Sequence, residues 1–152
     1  GMRKLLDSHG HQMTPHLVDF LQRPWTAEEL TTAVMGRKAI ANRMAEFMAD
    51  FDLFLTPTLT VPPFAVDIQG LEKVNGHIVP PFQWLSFTFP INMTGQPAAS
   101  VPAGFTKKGL PVGLQVVGQH LDDPMVLKAC KNFESARPWK DKWPPLLDKL
   151  NL

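Results

Sequence analysis

The clearest pattern along the chain is helical. Leu30, Val34, Ala41, Met44, Met48 and Phe51 recur at three-, four- and seven-residue spacings, with Ile40 and Phe47 widening the stripe. Arg37, Lys38 and Arg43 fall mainly away from it, so the segment predicts one long amphipathic helix of roughly seven turns, with Phe47, Phe51 and the methionines as core. Its start is marked by Thr26-Ala27-Glu28-Glu29, a capping box in which the threonine hydroxyl and the glutamate three residues on satisfy free backbone N–H groups. The helix is expected to end near Asp50.

Beyond it the period changes. Asp52 to Thr56 is a short, continuously apolar run of the kind that forms a strand buried on both faces, and Pro57, Pro62 and Pro63 stop it. From Val61 to Phe89 prolines and glycines deny any long regular element, and a loop of that length in a compact domain usually has a function. Within it, Val74-Asn75-Gly76-His77-Ile78 carries the Asn-Gly pair of a tight hairpin. Ala98–Phe105 and Val112–Val117 read as an antiparallel hairpin joined across Thr106–Pro111. Asp123-Pro124 opens a last helix, with Asp123 as cap and Val126, Leu127, Cys130 and Phe133 on one face up to about Arg137. Pro138 to Leu152, including Pro144-Pro145, reads as an irregular strap. At the other end, residues 2–24 offer at best one short helix around Pro15 to Leu21. The organisation is therefore a poorly structured segment, 1–24, followed by a single domain, 25–152.

Composition narrows the function classes. A chain of 152 residues supports one core comfortably, and 44% hydrophobic against 19% charged residues is a globular balance rather than a disordered one. Fifteen basic against fourteen acidic residues give a net charge of +1, which supplies no field for nucleic acid or an anionic membrane. No apolar run approaches the length of a membrane span. Cys130 is the single cysteine, so no internal disulfide can form, and a reducing cytoplasm is the expected setting. Gly1 ahead of Met2 is set aside as the remnant of a cleaved tag.

Candidate chemistry is sparse. His9, His11 and His16 invite a metal reading, yet no matching set of further ligands accompanies them, so neither a metal nor a cofactor is expected. Cys130 has apolar neighbours at helical spacing and reads as a small core hydrophobe. A serine nucleophile needs a base and oxyanion donors. Of Ser8, Ser86, Ser100 and Ser135, none sits in G-x-S-x-G or beside another serine, and no Gly-Gly or Gly-Ser pair is present. The residues themselves assign no catalytic group.

Three stretches nevertheless carry a family pattern: Asp52-Leu53-Phe54-Leu55-Thr56-Pro57-Thr58, then Pro90-Ile91-Asn92-Met93-Thr94-Gly95-Gln96-Pro97-Ala98-Ala99-Ser100-Val101-Pro102, then Gly109-Leu110-Pro111-Val112-Gly113-Leu114-Gln115. In order and spacing this resembles the amidase-signature family over about residues 25 to 145. The resemblance implies an α/β fold, here part of a large mixed sheet containing the long helix, the buried strand, the hairpin and the last helix. It also implies hydrolysis or transfer of amide groups by a lysine, a serine on a cis peptide bond and a serine nucleophile, all upstream of the matched stretches. The chain would then be roughly the last third of a complete member.

No catalytic residue is carried over on this resemblance; what it implies is scaffold and one wall of a substrate pocket. Trp84, Phe87, Phe89 and Asn92 are the wall candidates, being next to or within the central motif, and simple core packing explains the aromatics equally well. Some transfer-RNA amidotransferase members carry an aspartate just ahead of the motif proline, where this chain has Leu85-Ser86-Phe87-Thr88-Phe89, and that favours amides with apolar groups. The implied partners are a chain carrying the amino-terminal amidase part or a second copy of this one, because strands shaped for missing neighbours leave apolar surface and edges to be covered. A small amide ligand on the pocket wall is a further expectation.

Overall fold

The computed structural model of the chain describes residues 1–68, 70–80 and 82–143. These fall into two compact units, Gly1–Gly36 and Arg37–Leu152, so the division lies inside the long helix and not ahead of it at residue 24.

In the first unit, helical turns at Met2–Leu5 and Gly10–Gln12 flank α1 (Leu6–His9), and α2 spans Pro15–Gln22. The sequence pattern anticipates α2 alone. The turns before it bury no residue, which is why no periodicity announces them. Trp25 is held by the Phe20 ring at 5.3 Å, by the Arg23 guanidinium 4.0 Å above its own ring and by a bond from its Nε1 to the Phe20 carbonyl. Directly after it, the capping box forms in both directions. Glu29 N–H donates to Thr26 Oγ1 at 3.1 Å, and Thr26 N–H donates to Glu29 Oε2 at 2.9 Å. Arg23 pairs with the other carboxylate oxygen at 2.6 Å. The helix so started, α3, runs Ala27–Met48.

Burial along α3 departs from the expectation. Only Met48 is buried, whereas Leu30 is 64% exposed, Val34 59%, Phe47 44% and the following Phe51 50%. The stripe is real in sequence, but most of it has nothing over it in this chain; Met35, Phe47 and Phe51 are not core.

The second unit is built on a three-stranded antiparallel sheet in the order β1 (Leu53–Pro57), β5 (Pro111–Gly118), β4 (Ala98–Phe105). The β4–β5 hairpin forms as its turn residues predict, with a bulge between Pro102 and Gly104. β1 pairs with β5 from Leu53↔Gly118 to Pro57↔Leu114. It is therefore an edge strand, and with Leu55 54% exposed it is not buried on both faces as the apolar run suggests. A continuous apolar run marks a strand meant to be covered, and here the cover is missing on one side.

One face of the sheet carries the main core. Val101 and Val116 pack against Val126 of α5 (Asp123–Ala136), with Leu53, Ala99, Leu114, Ala129, Cys130, Phe133 and Trp139 around them. The buried face of α5 is thus Val126, Ala129, Cys130 and Phe133, and Leu127 points to solvent at 67% exposure. Its cap is Asp122, which accepts from the Met125 N–H at 3.2 Å, one residue earlier than expected. Helix and sheet approach so closely that a Cβ on Gly118 would lie 2.6 Å from Val126 Cγ2.

The opposite face carries Phe54, Thr56, Gln115 and Val117, the last fully buried. The end of α3 reaches it through Phe47, whose ring meets Phe54 edge-on at 5.3 Å, and Gln119 Nε2 donates to the Met48 and Phe51 carbonyls. A six-residue helix, α4 (Phe89–Thr94), forms where the motif Pro90–Thr94 reads as irregular. Pro90 in its first turn and Gly95 in the left-handed region after its end fit the usual proline-in, glycine-out signals. Ile91 is its buried residue, and Arg37 Nε donates to the Met93 carbonyl at 2.8 Å. The Asn75-Gly76 hairpin forms between β2 (Lys73–Val74) and β3 (His77–Ile78), both turn residues having positive φ. The strap from Pro144 onward lies outside the described residues.

Candidate functional site

The most developed concavity of the sheet lies on the face away from α5, at the end where β1 leaves toward Pro57 and β5 begins. Thr58 N–H donates to the Gly113 carbonyl at 2.9 Å, which prolongs the β1–β5 pairing by one bond. Gly113 has no side chain, and above it Thr58 Oγ1 and Ser100 Oγ meet at 2.6 Å. A Cβ on Gly113 would stand 2.6 and 2.7 Å from those two oxygens, so the glycine is what lets the hydroxyls come together.

Behind this pair Gln115, 5% exposed, donates from Nε2 to Thr56 Oγ1 and to the Phe87 carbonyl, each at 3.0 Å. One buried amide thus ties the strand β1, the strand β5 and the loop that carries Phe87. The result is an open groove of about 630 Å³, walled by Phe87, Val61, prolines from both sides and the hydroxyl pair. No lysine, histidine or carboxylate lines it.

Of the four wall candidates, the structure brings only Phe87 into this groove. Trp84 sits in the turn Gln83–Leu85, edge-on to Phe64 at 5.4 Å, with its indole Nε1 buried and, among the described residues, without a hydrogen-bond partner. Phe89 and Asn92 are on α4. The Asn92 side chain is exposed and makes no hydrogen bond to backbone among the described residues, in contrast to the bond its place in the motif suggests. Thr58, Ser100, Gly113 and Gln115 do not stand out as site residues in the sequence, although all four lie in the matched motifs.

The serines find ordinary structural partners. Ser86 and Ser135 donate to the Gln83 and Lys131 carbonyls, and Ser100 pairs with Thr58. Ser8 Oγ lies 2.7 Å from Nδ1 of its neighbour His9, but on an exposed helical turn with no carboxylate on the ring. His11 bonds to Gln12, and among the described residues no group of three metal-binding side chains gathers. Burial raises the Cys130 thiol above its ordinary pKa, the opposite of what an activated nucleophile needs. Among the described residues no helix is long and apolar enough to cross a membrane.

A mixed α/β unit with an antiparallel sheet, a helix on one face and a hydroxyl-lined groove on the other defines a class of enzyme scaffold. Known proteins make the class specific. The amidase family model matches residues 4–127. An acylamidase from Rhodococcus erythropolis is 41% identical over 125 residues, covering 78% of this chain and 26% of the relative. The A-type subunit of a glutamyl-tRNA(Gln) amidotransferase from Pseudothermotoga lettingae is 40% identical over 106 residues, covering 68% and 21%. Among solved structures, a bacterial aryl acylamidase of the amidase signature enzymes superposes with a TM-score of 0.78 at 29% identity, covering 90% of this chain and 29% of that one.

The chain belongs to the amidase family. It spans about a quarter of the length of these relatives. The match begins at residue 4, so the segment before Trp25, left outside the resemblance on sequence grounds, shares in the family pattern as well.

Proposed function

We propose that this chain supplies scaffold and a substrate-facing wall to an amidase-signature amide hydrolase and is inactive as a hydrolase by itself. The observation that carries the reading is the state of its serines. None of the four stands in a concave site beside a base, and the one groove with serine in it has no base in its lining. A nucleophile and its base would have to come from another segment or chain. The apolar sequence Leu85–Phe89, with Phe87 in the groove, supports an uncharged amide over the charged substrate of an amidotransferase.

The test is release of aniline from acetanilide, and of ammonia from simple aliphatic amides, by the purified 152-residue chain. No turnover above background is expected. Turnover abolished by replacing one serine would overturn the proposal; turnover that survives replacement of all four would mark a contaminant.

A second reading, a self-associating module that completes a partner's sheet, is favoured by the exposed stripe of α3 and by Leu55 on the open edge strand. A strictly monomeric chain in light scattering at high concentration would count against it.

A further inference from the structure

The groove over Gly113 contains an arrangement that the scaffold role does not use. Thr58 Oγ1 and Ser100 Oγ are 2.6 Å apart and have no other hydrogen-bond partner among the described residues. Each hydroxyl has one proton and two lone pairs, so their mutual bond consumes one proton and leaves the other without an acceptor in the protein. At least one lone pair on the pair also remains open. Side by side in an apolar groove, a free donor and a free acceptor match the C=O and N–H of an amide. The flanking Phe87 ring, Val61 and Pro62 offer apolar contact to whatever the amide carries. A carboxylate or ammonium there would be desolvated with no counter-charge in the lining.

We propose that the Thr58–Ser100 pair is a binding site for the amide group of a small uncharged ligand, whose aryl or alkyl part lies against Phe87. This rests on the reading of the chain as an amide-directed scaffold, and deepens it by naming the residues and the ligand class. Gly113 permits the pair to form, and Gln115 holds the Phe87 loop over it through the bond to the Phe87 carbonyl. Both act as positioning residues and do not themselves touch the ligand.

Titrating the ¹⁵N-labelled chain with acetanilide, benzoate and benzylamine tests the site by amide chemical shifts. Acetanilide should move the signals of Thr58, Ser100 and Gly113, and the two charged probes should not. Thr58→Val and Ser100→Ala should each weaken acetanilide binding by about five-fold, the loss of one uncharged hydrogen bond. If a variant fails to fold, the wild-type shift map and the comparison among the three probes decide. Equal binding of benzoate, unchanged affinity in both variants, or the absence of shifts at these residues would overturn the site. Shifts confined to Phe89 and Asn92 would overturn it while leaving the amide-directed reading in place. Turnover by the isolated chain would do the reverse.

Discussion

At Gly113 a single methyl group has no room. Alanine there must displace Thr58 and Ser100, whose hydroxyls occupy the position of its Cβ. Gly113→Ala should therefore cost about 1–3 kcal/mol, the usual penalty of overpacking, and shift the urea midpoint without changing the slope. Cys130 gives a second prediction at this scale. Its folded-state pKa is raised by burial, so between the unfolded and folded values the native state holds a proton that the unfolded state has lost. Stability is then unaffected at neutral pH and declines as pH rises past the unfolded thiol value. Cys130→Ala should flatten that decline in denaturation curves, and the native thiol should alkylate more slowly than the urea-unfolded one at the same pH.

At the scale of elements, the start of α3 is the best-determined local feature. The Thr26 backbone bond to Glu29, reinforced by the Arg23 charge, holds the Glu29 carboxyl below its ordinary pKa. Its contribution is therefore present above the unfolded carboxylate value and disappears as pH falls through the folded one. Thr26→Ala should remove about 1 kcal/mol at neutral pH, read as lost helical circular dichroism on heating, and Glu29→Gln should make the first turn of α3 less sensitive to acid. This capping box, the Asn75-Gly76 turn and the β4–β5 hairpin are legible in the sequence because each depends on neighbours close along the chain. α4 escapes such a reading because six residues give no repeat of a 3.6 period, although Pro90 and Gly95 mark its limits. The groove is half legible: Phe87 stands out for its aromatic ring, while Thr58, Ser100 and Gln115 meet only after β1 pairs across the long loop.

For the molecule as a whole, the sequence pattern of α3 and β1 describes surface intended for burial, and pattern alone does not say which chain provides the cover. Ile40, Met44 and Phe47 with Phe54 border a shallow concavity of about 430 Å³, and Phe51 beside them is half exposed. The isolated chain should accordingly self-associate in a concentration-dependent way. Replacing Phe47 and Phe51 by serine should lower the apparent mass in light scattering toward that of one 17.0 kDa chain, with the β-sheet signal retained. The order of the strands adds a temporal side to this. β1 finds its only partner in β5, and even the shortest of their pairings, Pro57 with Leu114, waits for more than fifty further residues to be joined. At a synthesis rate of about 5–20 residues per second, β1 leaves the ribosome roughly 3 to 11 s before the strand that pairs with it. During that interval its backbone and Leu55 are open to whatever is nearby, so a ribosome paused within the proline-rich loop would display this edge for longer.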